Sequence, residues 1–161
     1  MANRPYATAN SILSAARECG LDEAAFHQLP GARAQALLDR VLDSFTKHGR
    51  ANRMRYWLWE DLQPPRLSLA KTHEPNVLLK LGTRSTPVWL IVEDWDRTNR
   101  GSPFWVFEAT LAAAAATLEN HHLLEFYIVS RPLTWLVGEN HHGSMFAAGE
   151  HAISALQTID G

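Results

Sequence analysis

Cysteine is almost absent from this sequence, because Cys19 is the only one in 161 residues. A single cysteine cannot form an internal disulfide, and a zinc cluster built on cysteines is excluded as well. We expect Cys19 to be a small buried residue on the apolar face of an N-terminal helix, since no histidine stands beside it to activate its thiol. This cysteine usage is typical of a protein of the reducing cytoplasm.

Long hydrophobic runs are also missing. The richest apolar window, residues 109–118, contains two threonines and is followed by Glu119 and Asn120. It is shorter than the roughly 18 apolar residues that indicate a transmembrane helix. Polar residues interrupt the first twenty positions, so they do not read as a signal peptide. The sequence therefore predicts neither a membrane protein nor a secreted one.

The chain lacks an excess of charge of either sign. It has 17 acidic and 15 basic residues, for a formal net charge of -2. Such a balance gives no broad positive field for a phosphate backbone, so we expect no nucleic-acid partner. The phosphate-binding glycine patterns GxGxxG and GxxxxGK[ST] are absent too, and no cofactor is expected.

Helical periodicity dominates the first third of the chain. Apolar residues recur at three- and four-residue spacings around Ile12 and Ala16, and Gly20 stands where a helix C-terminus favours glycine. A second helix is predicted from Gly31, with one apolar stripe that runs to Phe45. A short helix is expected at residues 76–81, within an otherwise irregular connection.

From residue 87 the pattern changes to short runs rich in aromatic and β-branched residues, which predict strands. The predicted strands are residues 88–92, 104–108, 124–130, 135–140 and 145–149. A helix at 110–122 interrupts them, and a short helix follows them. We expect one α+β domain over 1–161, with a helical part (7–50) and a strand-rich part (87–150). Its mainly antiparallel sheet would have about five strands, packed by the N-terminal helices and the inserted helix.

A polar segment follows the apolar run at residues 135–138. It consists of Glu139, Asn140, His141 and His142. Adjacent histidines on an extended chain point to opposite sides, so this pair cannot chelate one metal without a turn. One interpretation is that residues 140–143 form a turn in which a histidine packs or caps.

The other interpretation is a metal or acid/base site. One histidine of the 141–142 pair would join one from the earlier pair, His121 and His122, together with Glu93 or Asp94. No catalytic residue and no metal ligand can be assigned from this pattern, because the spacing within each pair is unfavourable.

Three carboxylates, Glu93, Asp94 and Asp96, leave the end of a strand predicted to be buried. Carboxylates close together raise one another's pKa and can bind a cation, act as acid and base, or form an acidic docking patch. They can equally be a solvated strand end. Trp95 alternates with them, and an outward-facing tryptophan is a good interface anchor.

The segments VWLIVEDWD, FWVFEA, EFYIVSRPLTWLVGENHHG and YWLWEDL, within residues 56–149, together resemble an uncharacterised family of small bacterial proteins with a W-L-I-V-E-D and E-N-H-H signature. In the order of its elements the chain is also similar to Smi1/Knr4-like immunity proteins, which are small α+β proteins that bind and neutralise toxin domains. The second resemblance implies a cytosolic antitoxin that acts by occlusion, without catalysis of its own.

The sequence therefore favours a small cytoplasmic bacterial binding protein. The leading hypothesis is an immunity protein that occludes the active site of a cognate secreted toxin domain. Its expected partner-binding residues are Glu93, Asp94, Trp95, Asp96, Glu139, Asn140, His141 and His142. The alternative is a metal-dependent or acid/base enzyme that uses the histidine pairs and the Glu93, Asp94 and Asp96 cluster.

Overall fold

A computed structural model describes residues 7–54, 58–69, 75–121 and 125–157. In these residues seven strands form one antiparallel sheet in the order β1-β4-β3-β5-β6-β7-β2. The strands are β1 (Phe26–Gln28), β2 (Arg66–Leu69), β3 (Pro87–Glu93), β4 (Phe104–Thr110), β5 (Phe126–Ser130), β6 (Leu136–Glu139) and β7 (Met145–Ala148). The α-helices are α1 (Ala7–Glu18), α2 (Gly31–Phe45), α3 (Leu111–Asn120) and α4 (Glu150–Gln157), and short 3-10 helices lie at Gly49–Asn52, Leu58–Glu60 and Pro75–Leu81.

Strand β3 lies inside the sheet, between β4 and β5, and both of its faces are covered. Val88, Leu90 and Val92 belong to a core formed with α1, α3 and α4. Ile91 belongs to a second core formed with α2 on the other face, and Trp89 packs against it. A strand covered on both faces needs apolar residues at consecutive positions, which explains the run without alternation in VWLIV. We call these faces the α1 face and the α2 face.

The helices follow the sequence signals that predicted them. Helix α1 is followed by Gly20 at φ +80°, the left-handed conformation that glycine adopts without a steric cost. Helix α2 buries its predicted stripe, Leu37 to Phe45, against the α2 face. Helix α3 is capped by Thr110, whose side chain accepts a hydrogen bond from the backbone N–H of Ala113. The short helix expected near residues 76–81 is the 3-10 helix Pro75–Leu81.

The expected α+β class with an antiparallel sheet is confirmed, but the strand count of about five was wrong. The two further strands, β1 and β2, are the sheet edges and pair with β4 and β7. They have only three and four residues, too few for a clear periodic pattern. The alternation in RLSL was a usable signal for β2, because Leu67 and Leu69 pack against the α1-face core while Ser68 is exposed.

Cys19 differs from expectation, since it is exposed rather than buried. It lies just after the last residue of α1, where the helix no longer covers it, although its thiol reaches the backbone carbonyl of Ala116 at 3.5 Å. His122, the second member of the earlier histidine pair, lies outside the described residues, and so does the start of the strand that was expected at residue 124.

Candidate functional site

The antiparallel pairing brings the two polar strand ends together. Val92 of β3 lies opposite Phe126 of β5, and Phe126 lies opposite Glu139 of β6. The end of β3, the start of β5 and the end of β6 therefore share one end of the sheet. The backbone N–H of Glu93, the last residue of β3, donates to the carbonyl of Glu125, the residue just before β5, at 3.1 Å.

Glu125 is a fully buried carboxylate held by three donors. The Trp59 indole N–H donates to Oε1 at 2.9 Å, and the Tyr127 hydroxyl donates to Oε2 at 2.8 Å. Nδ1 of His141 lies 3.4 Å from Oε1. Burial raises the pKa of Glu125 more than these contacts lower it, so its pKa is above the ordinary value. Burial and the nearby Glu125 also raise the pKa of Tyr127 well above the ordinary value, which keeps its hydroxyl a donor.

Glu93 is half-buried beside this carboxylate. Burial and the charge of Glu125 raise the pKa of Glu93 to about 7, although His141 and Arg97 act in the opposite direction. Two carboxylates in one poorly solvated place cannot both ionise cheaply. Glu93 therefore gains and loses a proton near neutral pH.

His141 and His142 are both exposed, and His141 is the one that reaches Glu125. Their ring centroids are 4.0 Å apart, and each lies 6.4 Å from the ring of Trp59. Glu93, Trp59, His141 and His142 thus form one surface at the end of the sheet on the α2 face, which we call the Glu93 patch.

The segment 140–143 is a turn, as one of the two sequence interpretations predicted. The side-chain oxygen of Asn140 accepts the backbone N–H groups of His142 at 3.0 Å and Ser144 at 3.1 Å. Gly143 has φ +78° and donates its backbone N–H to the carbonyl of Asn140. Asparagine and glycine thus supply the turn geometry, and this turn presents both histidines to the surface.

Asp94 lies away from the Glu93 patch, because alternate residues of a strand point to opposite faces. Asp94 is buried and accepts hydrogen bonds from the indole N–H of Trp105 at 2.8 Å and the backbone N–H of Asn99 at 2.6 Å. These bonds tie the β3–β4 connection to β4. Asp94 serves the fold of that connection.

Trp95 and Asp96 also face the α1 side. Trp95 is half-buried, packs against the α1-face core and lies 5.7 Å from the ring of His121. Asp96 accepts hydrogen bonds from the hydroxyls of Thr8 and, at 3.0 Å, Thr98. Burial raises the pKa of Asp96, but the hydrogen bonds outweigh this effect and lower its pKa. The three carboxylates of VEDWD therefore do not form one cluster.

Glu139 and His121, two further candidates from the sequence, also lie on the α1 side of the sheet. Glu139 lies opposite Phe126 and Met145, which both belong to the α1-face core, so Glu139 points away from His141. His121 bonds Ser11 at 2.7 Å and contacts Trp95, also on the α1 side. Within the described residues, no three His, Cys, Asp or Glu side chains are placed so that they could hold a metal ion.

Sequence reasoning missed Trp59, Glu125 and Tyr127. Glu125 stands alone between apolar residues, and its partner Trp59 is 66 positions away in the chain. A usable signal was the charge itself, because a glutamate directly before the buried strand FYIVS must find hydrogen-bond donors if it is buried.

Comparisons with known proteins give a family without a described activity. A search of curated proteins and a search of solved structures yield no match. No helix in the described part of the chain is both long and apolar enough to cross a membrane. Residues 7–160 match the model of a family of unknown function, DUF6756. Because the match spans almost the whole sequence, the chain belongs to this family of unknown function.

Proposed function

We propose that this protein is a small bacterial immunity protein that neutralises a cognate toxin domain by covering its active site. The Glu93 patch is the contact surface in this proposal. The observation that carries it is the meeting of β3, β5 and β6 at one end of the sheet, which gathers Glu93, Trp59, His141 and His142 into one surface.

The composition of the patch suits a protein interface. Tryptophan is enriched among residues that dominate binding energy, and flat imidazole rings add contact area with few rotatable bonds. A half-buried glutamate offers a negative charge to a basic surface, such as the active site of a toxin that acts on nucleic acid. The supporting frame is rigid, because Glu125 ties Trp59, Tyr127 and His141 together through hydrogen bonds.

The proposed surface is narrower than the set expected from the sequence. Asp94, Trp95, Asp96 and Glu139 lie on the α1 side, and Asn140 is buried in its turn. Their part in binding is indirect, since Asn140 positions the two histidines and Asp94 fixes the loop that follows Glu93.

The experiment is co-expression with a toxin domain encoded beside this gene. The wild-type chain should protect cells and co-purify with the toxin, whereas Glu93→Lys should lose both properties. Glu23→Lys makes the same charge change at an exposed site in the turn before β1 and should behave as wild type. Absence of protection by the wild-type chain against every neighbouring toxin would reject the proposal.

A second candidate function is acid/base catalysis by Glu93 and His141. It is favoured by the pKa of Glu93 near 7, because a general acid or base works best when its pKa lies near the working pH. Hydrolysis of simple ester or phosphodiester substrates by the wild-type chain, but not by Glu93→Gln, would support this function over the binding role.

A further inference from the structure

A second group of polar side chains crosses the α2 face nearer the start of β3. His27 of β1 lies opposite Glu108 of β4, and Glu108 lies opposite Trp89 of β3. Arg131, just after β5, extends over the Trp89 ring with its guanidinium carbon 4.0 Å from the ring centroid. These four residues form a row across four adjacent strands, which we call the Trp89 row.

Ion pairs fix three members of this row. Arg131 Nη2 lies 2.7 Å from Glu108 Oε1, and His27 Nε2 lies 2.9 Å from Glu108 Oε2. Burial raises the pKa of Glu108, but the contacts with Arg131 and His27 outweigh it and lower the pKa. Glu108 is therefore ionised at neutral pH and has a hydrogen-bonding partner on each of its oxygens.

The row has more donors than acceptors. The indole Nε1 of Trp89 and the Nε of Arg131 are buried, and neither has a hydrogen-bond partner in the part of the chain that the structure describes. A buried N–H group without a partner loses its bond to water and gains nothing in return. The guanidinium carbon of Arg131 lies 4.0 Å from the centroid of the Trp89 ring, so the two unpaired nitrogens belong to side chains that stack on each other.

We propose that Trp89 and Arg131 form a binding site for a carboxylate group. A carboxylate has two acceptor oxygens in a plane, so one group can accept from both the guanidinium and the indole. Two N–H donors without an acceptor favour an anion over a neutral acceptor, because hydrogen bonds to a charged acceptor are the stronger ones. This site is separate from the Glu93 patch and does not depend on the function proposed for that patch.

Entry of the ligand requires movement of Arg131, because both unpaired nitrogens are covered. Its side chain is 29% exposed and begins just after the end of β5, so the movement that the proposal requires is a rotation of this side chain and not of a strand. Leu133 of the same turn has φ +58°, a strained conformation for a non-glycine residue. Glu108 already binds the guanidinium, so an incoming carboxylate competes with it.

The test is an NMR titration of the 15N-labelled chain with sodium acetate. The indole N–H signals and the arginine Nε–H signals are recorded at each acetate concentration. The spectrum of Trp89→Phe identifies the Trp89 signal, and sodium chloride at equal ionic strength is the control. We expect saturable shifts of the Trp89 and Arg131 signals that chloride does not produce. Absence of saturable shifts would overturn the proposal and leave the two donors as structural features.

Variants of the row sharpen this test. Arg131→Lys keeps the charge but removes Nε, and binding should weaken by about tenfold or more. Arg84→Lys, at an exposed position, should leave binding unchanged. Glu108→Gln should strengthen binding, because the guanidinium loses its competing carboxylate. Unchanged affinity in Arg131→Lys, or saturable binding of inorganic phosphate but not of acetate, would overturn the carboxylate site.

Discussion

The charge of Glu93 depends strongly on its surroundings. This residue lies on the strand next to a fully buried glutamate, and both carboxyl groups have raised pKa values. Protonation of Glu93 removes the repulsion between the two, whereas a cationic partner removes it by supplying the opposite charge. The protonation of Glu93 therefore affects both the folding stability and the proposed binding, and both should depend on pH.

We predict that Glu93→Gln stabilises the protein at pH 8 and has little effect at pH 5. The pKa of Glu93 is raised from 4.5 to about 7, so its favourable contribution is complete below about 4.5 and is lost as the pH rises through 7. Because Glu93 is half-exposed, solvent screening reduces the gain to about 1 kcal/mol. Urea unfolding at both pH values measures it, and an equal effect at pH 5 and pH 8 would contradict the pKa.

Tyr127 supports the buried carboxylate from inside the core. We predict that Tyr127→Phe lowers the free energy of unfolding by about 1–3 kcal/mol, since Glu125 Oε2 loses the donor that lies 2.8 Å from it. A double-mutant cycle with Glu125→Leu, which removes both acceptor oxygens, isolates the interaction between the two side chains. Additive effects of the two substitutions in urea unfolding would show that the bond contributes nothing.

The site could be predicted from the sequence only in part. The sequence does not determine whether the Glu93 and Glu139 strand ends are neighbours, because that depends on the order of the strands in the sheet. Strand β5 lies between β3 and β6, and it brings Glu125 into the site. The strict alternation of side chains then separates neighbours in the sequence, so Glu93 joins His141 whereas Asp94 does not.

At the scale of elements, the β6–β7 turn determines where the histidines lie. We predict that Asn140→Ala destabilises the protein by about 1–2 kcal/mol, because the N–H groups of His142 and Ser144 lose their acceptor. The NMR signals of the His141 ring should also lose the influence of Glu125. Asn140→Asp retains an acceptor oxygen and should keep the turn, and wild-type His141 signals in Asn140→Ala would contradict this account.

Elements with long periodic patterns were predictable, and short edge strands were not. Helix α2 has fifteen residues and a full apolar stripe, so its start at Gly31 was visible in the sequence. Strand β1 has three residues, and only its pairing with β4 makes Phe26–Gln28 a strand. That pairing joins positions about eighty residues apart, and local sequence contains no information on it.

At the scale of the whole molecule, helices pack on both faces of the sheet, and the Glu93 patch lies at one end of it. We predict that binding to a basic toxin surface strengthens between pH 6 and pH 8, because Glu93 becomes negatively charged near pH 7. Burial and the charge of Glu125 raise this pKa, whereas His141 and Arg97 lower it. Binding should also weaken with added salt. Affinity that is independent of both pH and salt would argue that the contact does not involve Glu93.

The affinity of the purified chain for its neighbouring toxin domain tests the central claim most directly. Calorimetry should show that Glu93→Lys weakens binding by about a hundredfold or more, because a cation at this position repels a basic partner. Glu23→Lys should bind as tightly as the wild-type chain. Equal affinities for all three chains would contradict the claim that the Glu93 patch is the binding surface.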